Sequence, residues 1–135
     1  MRFMLDDDAI LPTRAHEMDA GLDFYTREDA YIPAHGYYIF DTGVHVEIPE
    51  GYVGFLKSKS GLNVNHNLIS DGVIDAGYTG SIVKLYNLGD LPYSFKKGDK
   101  ITQLVVLPCS LEEIELTDTF TNSDRGSHGF GSSGK

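Results

Sequence analysis

The sequence predicts an all-β fold, a barrel or sandwich of short strands, and three observations carry that prediction. Short runs rich in β-branched and aromatic residues recur at regular spacing along the 135 residues. Fifteen glycines and five prolines place turn signals between them. No stretch repeats its apolar residues at the helical period over any length. Strands in quick succession, without helices between them, bury their apolar faces only by packing sheet on sheet or by closing on themselves.

The elements follow in order. Residues 1–11 carry Asp6, Asp7 and Asp8 ahead of Pro12. Like charges in series repel into solvent, so the run Asp6-Asp7-Asp8 reads as an exposed loop and not as a metal cage. Strand-like runs follow at 22–25, 37–40 and 44–48, the last alternating Val44, Val46 and Ile48 against His45 and Glu47. Ala34-His35-Gly36 and Pro49-Glu50-Gly51 supply turns, and 52–56 continues as strand. Ser60 is placed to cap a short helical turn through Asn63 and Asn65, whose low helix propensity limits its length. Val73 and Ile74 lead into Asp75, Ala76-Gly77 turns the chain, and 81–88 resumes as strand, which together make a β-hairpin. A brief strand at 93–95 and the most apolar strand, 101–107, come next, and 112–116 is expected to close the core. Residues 1–117 thus read as the β core and 118–135 as a mobile Gly/Ser-rich tail.

Composition bounds the function. A net charge of −9 argues against binding nucleic acid through its phosphates. No apolar run reaches the length of a membrane span and no signal-peptide pattern opens the chain, which makes the cytoplasm the expected compartment. The lone Cys109 allows no internal disulfide and no CxxC motif. His16, His35, His45, His66 and His128 show no HExxH or paired spacing, which speaks against zinc. Neither a GxSxG elbow nor a GxxxxGK[ST] loop is present.

What remains is a series of polar islands. They are Asp19-Ala20-Gly21-Leu22-Asp23, Ser58-Lys59-Ser60-Gly61, the hairpin Gly72 to Gly80, Gly98-Asp99-Lys100-Ile101-Thr102-Gln103-Leu104, and Arg125-Gly126-Ser127-His128-Gly129-Phe130-Gly131-Ser132-Ser133-Gly134. Each alone is a turn. Asp75 either caps its own turn or stands as a carboxylate at the hairpin mouth, with the Tyr78 ring just past the tip. The tail is either a plain linker or a strap that closes over an anion, with hydroxyls and backbone N–H groups on oxygens, Arg125 on phosphate and Phe130 over a flat ring.

Taken together, the five islands, in this order over 12–134, resemble the trimeric deoxyuridine triphosphatases, the dUTPases. The resemblance implies a β jelly roll, a homotrimer whose active sites are shared between three chains, and Mg²⁺-dependent cleavage of dUTP to dUMP and pyrophosphate. It makes Asp75 the carboxylate that activates water at the α-phosphorus and sets Tyr78 against the deoxyribose. Ile74 and the hairpin backbone would bind the uracil edge. Asp23 would hold the metal's water shell, with Mg²⁺ itself mainly on the triphosphate. Lys59, Ser60, Gly61 and Gln103 would contact phosphates. Arg125, Ser132 and Ser133 would grip the γ-phosphate, with Phe130 and Gly131 on the nucleotide. Three positions depart from the family pattern. Lys59 stands where Arg is usual and lacks its bidentate fork. Ile69 stands where some members carry a uracil-reading Asn, and Gly77 where many carry a second Asp. The related dCTP deaminases share the fold, but their signature residues are missing around the second island. A regulator that binds a protein partner in response to nucleotide is compatible only as an added role.

Overall fold

A computed structural model describes residues 1–134; Lys135, the last residue of the expected tail, lies outside the described residues. The described residues form ten strands and one short helix: β1 (Arg2–Leu5), β2 (Leu22–Tyr25), β3 (Ala30–Ile32), β4 (Tyr37–Asp41), β5 (Val44–Glu47), β6 (Tyr52–Lys57), α1 (Ser60–His66), β7 (Leu68–Ile74), β8 (Ile82–Asn87), β9 (Tyr93–Phe95) and β10 (Lys100–Pro108). A six-stranded antiparallel sheet runs in the order β2-β10-β6-β7-β8-β4, flanked by the pairs β1-β5 and β3-β9. The expected all-β architecture is met, with curled antiparallel sheets of jelly-roll type.

Alternation builds the core. Val44, Val46 and Ile48 point inward from β5 and the residue after it, and Leu68, Ser70 and Ile74 do so from β7. They meet Phe40, Phe95, Ile32, Leu85, Ile101 and Leu104, all buried, with Phe40 and Phe95 edge to face at 5.6 Å. Two buried hydroxyls bridge strands here without loss, since Thr102 Oγ1 donates to the Lys57 carbonyl at 3.0 Å and bonds Ser70 Oγ at 2.8 Å.

One strand changes partners, and the site depends on it. β7 pairs with β8 only over Leu68, Ile69 and Ser70, and then with β6 over Asp71 to Ile74. β8 in turn stays with β4 through Ile82. A strand that changes partners within a curled sheet forms a corner, so the two arms of the hairpin diverge beyond Ser70 and Leu85.

Two strands add to the expected elements, and two expectations are corrected. The acidic run Asp6-Asp7-Asp8 is the exposed loop expected of it, and β1 forms just before it because the apolar Phe3 and Met4 have β5 to pair with. Residues 30–32, too short a run to stand out, form β3 against β9. The α1 N-cap is Lys59, without a side-chain cap, and Ser60 is the first helical residue. Residues 112–116 close no core: Ile114 and Leu116 are fully exposed and Leu111 nearly so, since within one chain no strand edge receives them.

Candidate active site

The sequence-predicted residues fall into three groups. The first is a cleft of about 430 Å³ lined by Asp19, Gly21, Asp23, Lys59, Ser60 and Gln103 among others. β2 and β10 create it. Gln103 lies directly opposite Asp23 in their ladder, and its amide donates to the Ser58 carbonyl at 3.0 Å. Glycine at 21 lets the Gln103 amide come close, since a Cβ there would push Gln103 Oε1 aside. That close approach brings the first, second and fourth islands to one place.

Asp23 is the electrostatic centre of this cleft. Its carboxylate is 5% exposed and held by two ammonium groups, Lys59 on Oδ1 and Lys100 on Oδ2, the latter at 2.7 Å. Burial pushes the carboxyl upward, but the hydrogen bonds from Lys100 and Lys59 outweigh it and hold Asp23 below the ordinary aspartate value. The same bond raises Lys100 above the usual lysine range. The sequence assigns Lys100 no role of its own; its signal there is a lysine opening the strand that pairs with 22–25. Among the described residues no three His, Cys, Asp or Glu side chains converge as a metal cage.

The second group is the hairpin tip. Asp75 and Tyr78 close a β-turn, with the Tyr78 N–H donating to the Asp75 carbonyl at 3.1 Å and Gly77 at φ 90°. Ile74 is buried while Asp75 and Tyr78 are exposed. Among the described residues the Asp75 carboxylate accepts no hydrogen bond, so it does not cap its turn. The arm leaving the tip is fastened twice. Ser81 is held by Thr42 Oγ1 on its carbonyl at 2.8 Å and by Asp41 on its hydroxyl at 2.6 Å. The Thr79 carbonyl meets His45 Nδ1 at 2.5 Å. Between the arms, 71–74 and 82–84 carry no ladder partner across the mouth. The result is a slot edged by backbone N–H and C=O groups with a free carboxylate at its end.

The third group is the tail. Arg125, Ser132 and Ser133 line a hollow that the tail forms with itself, with Arg125 Nε donating to the His128 carbonyl at 3.0 Å. Phe130 is fully exposed and Gly131 turns at φ 85°. Hydrogen bonds of 110–134 join tail residues to one another. A single chain therefore brings cleft residues together and leaves hairpin and tail as separate pieces.

Known proteins give an independent measure of this arrangement. A family model described as dUTPase matches residues 7–134. The chain is 38% identical to the deoxyuridine 5'-triphosphate nucleotidohydrolase of Clostridium tetani, over 98% of this chain and 94% of the relative. It is also 38% identical to that of Rattus norvegicus, over 100% of this chain and 67% of the relative. Among solved structures, the dUTPase of Staphylococcus bacteriophage 80alpha with dUPNHPP superposes at a TM-score of 0.93 with 32% identity, covering 99% of this chain and 98% of that one. A mutant dUTPase from phage phi11 of S. aureus, described with a structural Mg(II) ion, superposes at 0.81 with 30% identity, over 88% and 97% of the two chains. No helix of the described residues is long and apolar enough to cross a membrane.

Proposed function

The chain belongs to the dUTPase family, and from that premise we propose that it hydrolyses dUTP to dUMP and pyrophosphate at a site assembled from the cleft, the hairpin and the tail. The opened hairpin carries the reading. Its two unpaired backbone edges match a flat ring with alternating donors and acceptors, and base reading falls to them because Ile69 offers no polar group. Tyr78 beyond the turn lies against the sugar and leaves no room for a 2'-hydroxyl.

Asp75 does the chemistry. Its unencumbered carboxylate accepts a proton from a water aligned on the α-phosphorus; the water oxygen forms the new P–O bond as the bridging oxygen to the β-phosphorus departs with pyrophosphate. Lys59, Ser60 and Gln103 line the path of the phosphates, Gly61 follows Ser60 in α1 beside them, and Lys100 adds a second cation to Lys59. From the tail, Arg125, Ser132 and Ser133 take the γ-phosphate, while Phe130 covers the uracil and Gly131 lets the backbone approach.

The donor set suits Mg²⁺ carried in on the triphosphate. A carboxylate has about four acceptor positions, and the two ammonium groups take two of Asp23's, which leaves lone pairs for metal-bound water. When bound, Mg²⁺ would neutralise the charge that builds on the phosphates. Asp23 would orient its water shell, and Lys59 and Lys100 keep that carboxylate ionised.

Exposed apolar residues support the homotrimer. Leu111, Ile114, Leu116 and Phe120 leave the core as an uncovered strip, which a neighbouring copy would cover while receiving the tail of 118–135. A lone free cysteine fits the reducing cytoplasm. The likeness to the 80alpha dUTPase, described in terms of control of virulence-gene transfer, favours an added protein-binding role; a pull-down with and without nucleotide tests that addition. The main reading is tested by pyrophosphate release from dUTP, dTTP, dCTP and UTP side by side. Preference for dUTP is expected, and equal rates on all four reject the hairpin as a base reader.

A further inference from the structure

His45 has no part in the chemistry above, yet it is the link between the hairpin tip and the rest of the fold. Its Nδ1 lies 2.5 Å from the Thr79 carbonyl and its Nε2 3.1 Å from Asp6 Oδ1, with the side chain four-fifths buried. Both partners are acceptors only. A neutral imidazole carries one N–H, so either tautomer sets a lone pair against an oxygen; only the imidazolium satisfies both contacts. We propose that His45, as the imidazolium, is a positioning residue that tethers the hairpin tip at Thr79 to Asp6 and so sets how tightly the slot holds the nucleotide. This rests on the reading of the hairpin as the base and sugar site.

The surroundings favour the charged form. Asp6 faces the ring from the loop after β1, and Asp41 from the end of β4. Arg27 is the opposing charge, with its guanidinium 2.6 Å from Asp41 and 3.9 Å from Asp6. Arg2 and Glu47 line the same recess but neutralise one another. On the hairpin tip, 72–80, the titratable groups are Asp75 and Tyr78. The bond to Thr79 raises the His45 pKa above its ordinary 6.5, burial opposes this, and Asp6 and Asp41 add to the rise. The sign follows: the tether is complete below the ordinary value and is lost as pH rises through the raised one. The charged Asp6 keeps the remaining N–H, so the contact that breaks is the one to Thr79.

The test uses the full-length wild type, His45→Asn, which keeps a donor near the Nδ1 position without titrating, and Asp6→Asn. KM and kcat for dUTP are measured between about pH 5.5 and about pH 9, a span that brackets an imidazole, and the Gly80 amide is followed by NMR over the same range. Toward high pH the wild-type KM is expected to rise about fivefold with kcat level, the scale of one lost charge-assisted hydrogen bond. The Gly80 resonance is expected to move with the same midpoint. His45→Asn should flatten the KM limb, and Asp6→Asn should shift it to lower pH. A KM profile in His45→Asn that superposes on that of the wild type overturns the proposal, as does a Gly80 resonance indifferent to the His45 titration. A wild type inactive on dUTP at every pH removes the underlying reading and this proposal with it, and is told apart because the NMR midpoint survives.

Discussion

Two carboxylates of this chain show how environment assigns work to one residue type. Asp75 stands exposed at a turn with no hydrogen-bond partner among the described residues, and Asp23 is buried between two ammonium groups. Asp75→Asn keeps the shape but loses the base, so turnover is expected to fall at least about 100-fold while binding of a non-hydrolysable dUTP analogue stays within about threefold. Single-turnover kinetics beside calorimetry checks this, and near-normal turnover rejects the role. Asp23→Asn leaves Lys59 and Lys100 without their shared anion. Loss of a partner from a buried pair costs about 3 kcal/mol, less here because Lys100 is more than one-third exposed and swings into solvent. The pH dependence has a defined sign. Asp23 is held below its unfolded value near 3.8, so its contribution is whole above that pH and vanishes as pH falls through the lower folded value. Urea midpoints of wild type and Asp23→Asn should therefore differ at about pH 7 and draw together as pH falls through the lowered Asp23 value.

The hairpin is the element whose geometry matters most. Its arms diverge because β7 leaves β8 for β6 after Ser70, and its tip turns because Gly77 sits at φ 90°. Nothing lies within 4 Å of a Cβ built at Gly77, so a substitution there meets backbone strain and no steric clash. Gly77→Ala is expected to cost about 1 kcal/mol in stability and to raise KM for dUTP by a larger factor than kcat falls. Gly77→Asn should cost less, since asparagine tolerates the left-handed region. Equal effects of the two substitutions, read from Tm and KM, would place the origin elsewhere than in φ. At the other end of the chain the tail has the opposite character, with turns, local hydrogen bonds and an exposed Phe130.

At the scale of the molecule, the separation of hairpin and tail within one chain makes a definite forecast for the assembly. Asp75→Asn supplies a good tail and a dead hairpin, and truncation before Arg125 supplies the reverse. Random refolding puts about three-quarters of trimers in mixed form, each with one intact site in three, so about a quarter of wild-type activity should return by cyclic symmetry. Confirmed mixed trimers that stay silent would reject a site shared between chains. A monomeric mass for the wild type would reject it sooner.

Alternation in 44–48 and glycine at each turn made the all-β class legible in the sequence, and the order of five polar islands made the family legible, because periodicity, turn chemistry and short motifs are local properties. Local signals could not show that 112–116, with Ile114 and Leu116 alternating against glutamates, would find no edge to join, or that the short runs at 2–5 and 30–32 would find one. Nor could they reveal that Lys100 shares Asp23 with Lys59, or that His45 holds Thr79, since each contact joins residues far apart in the chain. Pairing partners are chosen by the whole sheet at once. Which carboxylate is locked by cations, and which is left free to take a proton, was therefore decided only when the strands came together.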